Sequence, residues 1–373
     1  MIGPAVDYTG GMWLLLLACD SGGPATGDSS RAPPTGQTGT IETTDPGDEP
    51  PVRARFVVVG DSGVRTDIRD GVVDALARVC AQEGCDFGLM AGDLFYTCGV
   101  DSVDDPSFDE DFEVPFGSLG MPWHAVLGNH DYRESLDGEC EGGEAFDDVR
   151  AGYQLSYSAT RDTHFEMPAW QWLGEPAPGL SLLALDTHRI MWGIDDQGGG
   201  GESSAWTTLG PAFRDQTDRF RVALGHHAYL SNGQHGVVGD YANRPAGDDL
   251  SCKDTHRPST AAGRDAGACL KVFYDDFVCG HADLVISGHD HNLALFMTSE
   301  LCASPQLISG ATAGLRALEG ELPVTYQTDQ VGGFAWVSVC TASRRLEDVR
   351  FYSEHSELLY ALSAGADAPG PCE

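Results

Sequence analysis

Five short runs rich in Gly, Asp, Asn and His punctuate the 373-residue sequence: Gly60-Asp61-Ser62-Gly63, Gly92-Asp93-Leu94-Phe95-Tyr96, Gly128-Asn129-His130-Asp131, Gly225-His226-His227 and Gly288-His289-Asp290-His291. Each follows an apolar stretch, at Phe56 to Val59, Phe87 to Ala91, Trp123 to Leu127, Arg221 to Leu224 and Leu284 to Ser287. A short apolar stretch that ends in a polar turn reads as a buried strand. The turns then emerge from the carboxyl ends of strands, where open α/β sheets build their sites. A glycine precedes each polar residue and is expected to let the backbone turn sharply.

The residue types are chemically specific. Carboxylate, imidazole, amide and phenolate donors together suit two hard or borderline ions such as iron, manganese or zinc, whereas calcium would want more oxygens. Two ions roughly 3.5–4 Å apart need an anionic ligand between them, and Asp93 is the natural bridge. His289 and His291 are two apart on an extended segment, so they point the same way and one can serve each ion. Asp61 and Tyr96 would complete the first ion, Asn129 and His226 the second.

Taken in order, the five runs resemble the calcineurin-like metallophosphoesterases. The tyrosine of Gly92-Asp93-Leu94-Phe95-Tyr96 narrows the resemblance to the purple acid phosphatase branch, and the small tartrate-resistant type is the most similar. That type carries a Gly-His-Asp-His-Asn-Leu run, found here at Gly288 to Leu293. It also has a stretch resembling Gly225-His226-His227-Ala228-Tyr229 that ends in His235-Gly236. The likeness covers about Arg55 to Tyr352.

The resemblance implies a ferric ion held by Asp61, Asp93, Tyr96 and His291. A divalent partner (iron, zinc or manganese) would be held by Asp93, Asn129, His226 and His289. It implies a charge-transfer colour from the Tyr96 phenolate, and catalytic roles for His130 and His235 in contacting the phosphate or protonating the leaving group. Two such cations draw in phosphate oxygens, activate a water and stabilise an in-line transition state without a protein nucleophile. No Gly-x-x-x-x-Gly-Lys phosphate loop and no Gly-x-Ser-x-Gly elbow occurs. Asp131 reads as a capping carboxylate beside the ligands. His227 stands where relatives carry an aromatic and is expected to wall the pocket. His124 reads as structural. His164, His188, His256, His281 and His355 carry no spacing signal and read as surface or packing residues, although His188 follows another strand, Leu182 to Leu185.

The coarse rhythm begins with strand Arg55–Val59, helix Thr66–Gln82, strand Phe87–Met90, helix Phe108–Gly117 and strand Trp123–Val126. Strands follow at Leu180–Leu185 and Val222–Leu224, then a helix at Ala268–Val278. Further strands are expected at Leu284–Ser287, Leu293–Met297, Gln306–Ile308, Phe334–Val339 and Leu346–Tyr352. The fold class is therefore α/β, with two mixed β-sheets packed as a sandwich and flanked by helices. Because the ligand runs must converge, residues 53–360 form one domain, with a tail at 361–373.

The first 52 residues differ. Trp13 to Ala18 is an apolar run too short to span a bilayer, and it ends at Cys19. Residues 1–19 thus resemble a bacterial lipoprotein signal that would lipidate Cys19 and attach the chain to a membrane, or an ordinary secretory signal. Residues 20–52 are rich in Gly, Thr, Pro and Asp and read as a disordered tether. With Cys19 set aside, ten of eleven cysteines remain, without a Cys-x-x-Cys pair, which favours disulfides and export. Cys252 with Cys269 and Cys302 with Cys340 are candidate pairs. The expected location is extracytoplasmic, secreted or lipid-anchored to a bacterial cell envelope.

A formal charge of −35, from 22 basic against 57 acidic residues, repels nucleic acid and anionic lipid. The acidic stretches Asp101–Glu113 and Asp137–Asp148 are expected mostly as solvated loops. The segments Gly198–Gly201 and Asn232–Arg264 are candidate rims, where Arg189, Arg244, Lys253 and Arg257 could meet phosphate. The expected activity is metal-dependent hydrolysis of a small phosphomonoester by a monomer. The alternatives are a phosphodiesterase on the same centre, or a non-catalytic surface binding lipoprotein on this scaffold.

Overall fold

Apolar residues on both faces of a strand require cover on both faces, and β1 (Arg53–Val59) shows how that cover is arranged. Its Ala54, Phe56 and Val58 face one buried cluster, while Val57 and Val59 face another. The computed structural model describes residues 53–132, 148–192, 204–235, 266–297, 299–363 and 372. All of them fall in one compact unit, Glu49–Glu373.

After β1 come α1 (Asp67–Glu83), β2 (Phe87–Ala91), β3 (Trp123–Val126), α2 (Asp148–Thr160), β4 (Phe165–Glu166), β5 (Trp172–Ala177) and β6 (Leu180–Ala184). Then follow α3 (Thr187–Trp192), α4 (Gly210–Asp215), β7 (Phe220–Leu224), α5 (Ala266–Phe277), β8 (Leu284–Ser287), β9 (Leu293–Phe296) and β10 (Gln306–Ser309). The chain closes with β11 (Tyr326–Thr328), β12 (Gly333–Cys340), β13 (Arg345–Ser353) and β14 (Leu358–Ser363). The first sheet has the order β14-β13-β12-β1-β2-β3-β4, and the second β11-β9-β10-β8-β7-β6-β5. Strands β1, β2, β3 and β4 run parallel, as do β6, β7, β8 and β10, and the other pairings are antiparallel.

Three apolar layers result. The central one joins the sheets through residues such as Phe56, Val58, Leu89, Leu182, Val222, Ile286 and Val337. An outer layer sets α1 and the Phe108–Phe116 segment on the first sheet, and another sets α4 and α5 on the second. This is the expected α/β sandwich of two mixed sheets with helices outside. Helix α1 starts where Thr66 caps it, its Oγ1 accepting the Arg69 N–H at 3.1 Å.

Several expectations need correction. The helix at Phe108–Gly117 is a π turn, Phe108–Glu113, followed by a 3-10 turn, Gly117–Leu119. This segment is no solvated loop: Phe108, Phe112 and Phe116 are buried, and Asp111 is buried against Arg69 at 2.8 Å. Short β4, β5 and β11, terminal β14 and helices α2, α3 and α4 were not expected from the apolar pattern. Cys302 pairs with Cys279, and Cys340 with Cys372, rather than with each other. The reason is layering, since Cys302 packs outside the second sheet whereas Cys340 ends β12 in the first. Cys80 pairs with Cys85, and Cys98 and Cys269 are disulfide-bonded as well. Cys252, Asp137, Arg244, Lys253, Arg257, His256, Gly198–Gly201 and most of Asn232–Arg264 lie outside the described residues, as do 1–52. No helix of the described residues is long and apolar enough to cross a membrane.

Candidate metal centre

Parallel strands deliver their following loops to one edge, and the five polar runs follow β1, β2, β3, β7 and β8 there. Main-chain bonds tie these loops together: Asp61 N–H donates to Gly92 O at 3.0 Å, and Gly288 N–H to His226 O at 3.0 Å. The turns differ from expectation in one respect. Gly92 is left-handed, at φ +84°, but so are three ligand candidates, Asp61 (+56°), Asp93 (+54°) and His289 (+68°). Such backbone costs about 1 kcal/mol or more per residue and persists only where surrounding contacts fix it. The glycines are needed instead for close approach. A Cβ on Gly288 would stand 2.6 Å from Asp61 Oδ2, and one on Gly128 would overlap the Asp93 carboxylate.

All seven ligand candidates come together, in two groups. In the first, Tyr96 Oη lies 2.7 Å from Asp93 Oδ2, 3.3 Å from Asp61 Oδ1 and 3.3 Å from His291 Nε2. His291 Nε2 is 3.4 Å from Asp61 Oδ1. In the second, His226 Nε2 lies 3.4 Å from Asp93 Oδ2, 3.0 Å from Asn129 Oδ1 and 3.0 Å from His289 Nδ1. Asp93 Oδ2 belongs to both groups. Ligand atoms held about 2.1 Å from an ion are spaced about 3.0 Å apart in an octahedron and about 3.4 Å in a tetrahedron. The observed edges fit that spacing.

The donor chemistry fits as well. His226 Nδ1 lies 2.8 Å from the Ala91 carbonyl, so the neutral ring carries its proton there and turns an Nε2 lone pair toward Asn129 and Asp93. Lone pairs converging without a hydrogen between them call for a cation. The surrounding carboxylates make the same demand for positive charge, which a proton on His226 also meets. Burial would lower His226, yet the Asp93 and Asp61 carboxylates push it up to about 10. Burial would raise Asp93, but His226, His130 and the Tyr96 hydroxyl hold it well below the usual carboxylate range. Burial and nearby imidazoles keep His289 and His227 well below ordinary histidine, hence neutral, the form in which imidazole binds metal.

Neighbouring groups fix the ligand candidates. Asp131, buried, accepts N–H bonds from Gly128 (2.8 Å), Leu94 (3.1 Å), Phe95 (3.2 Å) and Gln154 Nε2 (2.9 Å), tying the second and third runs together. His130 N–H donates to Asp93 Oδ1 at 2.9 Å, and its Nδ1 lies 3.2 Å from Thr97 O. His227 lies beside the cluster, its ring 4.5 Å from that of His289 and its Nδ1 2.7 Å from Thr187 Oγ1. His124 is buried against Glu166 at 3.0 Å, away from the centre. His188 is no surface residue: it is buried, stacked between Tyr132 at 5.0 Å and His227 at 6.0 Å. Arg189 pairs with Asp148 and lies over Trp170 at 4.6 Å.

His235 packs its ring on His289, centroids 4.3 Å apart, and its N–H donates to the buried Asp290 at 2.7 Å. Its Nε2 meets Arg316 Nη1. Burial, then the Arg316 charge, lower His235 to about 4. Sequence reasoning missed Arg316, Thr187 and Gln154. Two of these had a usable signal, because β6 and β10 are parallel strands whose ends lead to Thr187 and, six residues beyond Gly310, to Arg316.

Two sheets with a donor cluster at their shared edge define the metallophosphoesterase class. The sequence pattern of the calcineurin-like phosphoesterase family matches residues 54–293, and the chain belongs to that family. It is 26% identical over 277 residues to purple acid phosphatase 17 of Arabidopsis thaliana, a match covering 72% of this chain and 71% of that protein. It is 28% identical over 151 residues to human tartrate-resistant acid phosphatase type 5, covering 38% of this chain and 43% of that one. Among solved structures, the purple acid phosphatase PPD1 of yellow lupin superposes with a TM-score of 0.52 at 13% identity, covering 83% of this chain and 53% of that one. GAP50, the anchor in the inner membrane complex of Plasmodium, superposes with a TM-score of 0.57 at 17% identity, covering 83% and 88%. At those identities the two structures show a shared fold alone.

Proposed function

We propose that this chain hydrolyses phosphomonoesters at a binuclear centre built from Asp61, Asp93, Tyr96, Asn129, His226, His289 and His291. The observation that carries the reading is the sharing of Asp93 Oδ2 between two donor groups. Asp61, Tyr96 and His291 would complete a ferric site, and Asn129, His226 and His289 a site for iron, zinc or manganese. Such a pair supplies Lewis-acid binding of the phosphate and a hydrolytic nucleophile near neutral pH. The protein's own groups do the positioning. Asp131 locks the Asp93 loop to the Asn129 loop, and Ala91 O orients His226. His130, with Nδ1 directed to Thr97 O, has Nε2 to bond or protonate the leaving oxygen.

The intact donor set supports an enzyme over the non-catalytic reading. Disulfides support an oxidising, extracytoplasmic location, and lipidation of Cys19 would add a membrane anchor. The test combines metal analysis, visible absorption and p-nitrophenyl phosphate turnover across pH on the purified chain. Two ions per chain, a purple band and acid-range turnover are expected. Turnover without colour would remove Tyr96 from a ferric role. Absence of both metal and turnover would overturn the reading.

A further inference from the structure

A guanidinium cannot give up its charge in a protein, and every nitrogen it carries is a donor. Where Arg316 Nη1 meets His235 Nε2, the histidine must therefore be the acceptor, with its ring proton on Nδ1. A histidine so engaged presents no proton on that nitrogen to a substrate. What it holds instead is the arginine.

The surroundings place that arginine at the centre. Arg316 N–H donates to His291 O at 3.0 Å, so its backbone is fastened to a ligand candidate. His235, its side-chain partner, lies with its ring 4.3 Å from that of His289. Two residues before Arg316, a Cβ on Gly314 would stand 3.3 Å from His291 Nδ1, so this loop runs against the donor cluster. His235 is itself fixed by its N–H bond to buried Asp290. Among the described residues Arg316 has no carboxylate ion pair, unlike Arg189 with Asp148. In a chain of formal charge −35, an arginine without a carboxylate beside a donor cluster is a place for an anion. Its other N–H groups can converge on a terminal phosphate oxygen.

We propose that Arg316, steadied by His235, is the oxyanion clamp of this centre and selects phosphomonoester dianions over diesters. This rests on the proposed phosphatase reading. A monoester keeps three terminal oxygens, so one remains for the guanidinium when two are held at the centre. A diester has an alkyl or aryl group where that third oxygen would be, and gains little from the clamp. His235 is then a positioning residue rather than the proton donor.

The experiment measures inorganic phosphate binding to the purified metal-containing chain by titration calorimetry, alongside metal content and kcat/KM for p-nitrophenyl and bis(p-nitrophenyl) phosphate. Arg316→Met should weaken phosphate binding roughly 10- to 100-fold and lower monoester kcat/KM by a similar factor, the usual cost of a lost charged hydrogen bond. Diester kcat/KM should stay within about threefold and metal content should not change. Arg316→Lys, which keeps charge without the guanidinium, should fall between, and it decides the matter if Arg316→Met loses metal. His235→Gln, which keeps an acceptor, should retain most phosphate affinity, whereas His235→Ala should lose it through KM more than kcat. Phosphate binding unchanged within twofold in both Arg316 variants, or an equal loss for both esters, overturns the clamp. A parent chain that binds phosphate through Arg316 but turns nothing over would keep the clamp and sink the phosphatase reading.

Discussion

Replacing Asp186 by Asn should change the pH dependence of stability in a direction set by burial. Asp186 is fully buried at the end of β6, where one carboxylate oxygen accepts the Tyr132 hydroxyl and the other the Arg189 N–H at 3.0 Å. Burial raises its carboxyl to about 7, and the Tyr132 and Arg189 contacts only partly offset this. An unfolded aspartate titrates near about 3.9. The folded state therefore holds the proton more tightly, and the stability so gained is complete below about pH 4 and lost as pH rises through about 7. Three pH units at about 1.4 kcal/mol each give a loss on the order of 4 kcal/mol, of which about 1.5 kcal/mol is gone by pH 5. Asparagine keeps an acceptor for Arg189 and a partner for Tyr132 but cannot ionise. Its stability relative to the parent should thus rise by roughly 2.5 kcal/mol between pH 5 and 8.5. Denaturant unfolding of both chains, with disulfides intact, measures this difference. A difference constant within about 0.5 kcal/mol would show that Asp186 is not held protonated by burial.

Asp131→Ala should cost roughly 10- to 100-fold in metal affinity, because Leu94, Phe95, Gly128 and Gln154 lose their shared acceptor; full metal retention on dialysis would refute that role. Gly128→Ala should displace Asp93, reducing bound metal and costing about 1–3 kcal/mol by overpacking. Gly120→Ala, with open space around it and only a φ of +71° to strain, should lose about 1 kcal/mol or more and keep its metal. Chelation should lower the melting temperature, since the buried Asp61 and Asp93 are left with no ion between them; an unchanged melting curve would count against a metal centre.

The donor cluster was legible because each of its residues is marked twice, by its chemistry and by its position after an apolar strand. Strands β1, β2, β3, β7 and β8 announce themselves because parallel strands are apolar on both faces. Edge strand β5 is only partly buried, and β4 is two residues long, so neither has a pattern to read. The close-packing role of the glycines was hidden, because what a Cβ would strike belongs to another loop: Asp61 for Gly288, Asp93 for Gly128.

By itself, then, the sequence determined which side chains could bind cations and which strands would carry them, since both follow from local composition and spacing. Tertiary structure alone decided that Asp93 Oδ2 stands between the two donor groups and that Cys340 reaches Cys372. It also decided that His188 is buried and that His235 faces Arg316 rather than open space. Those outcomes depend on contacts between residues far apart in sequence, 195 positions for Tyr96 and His291 in the first donor group, and only sheet order and register set such distances.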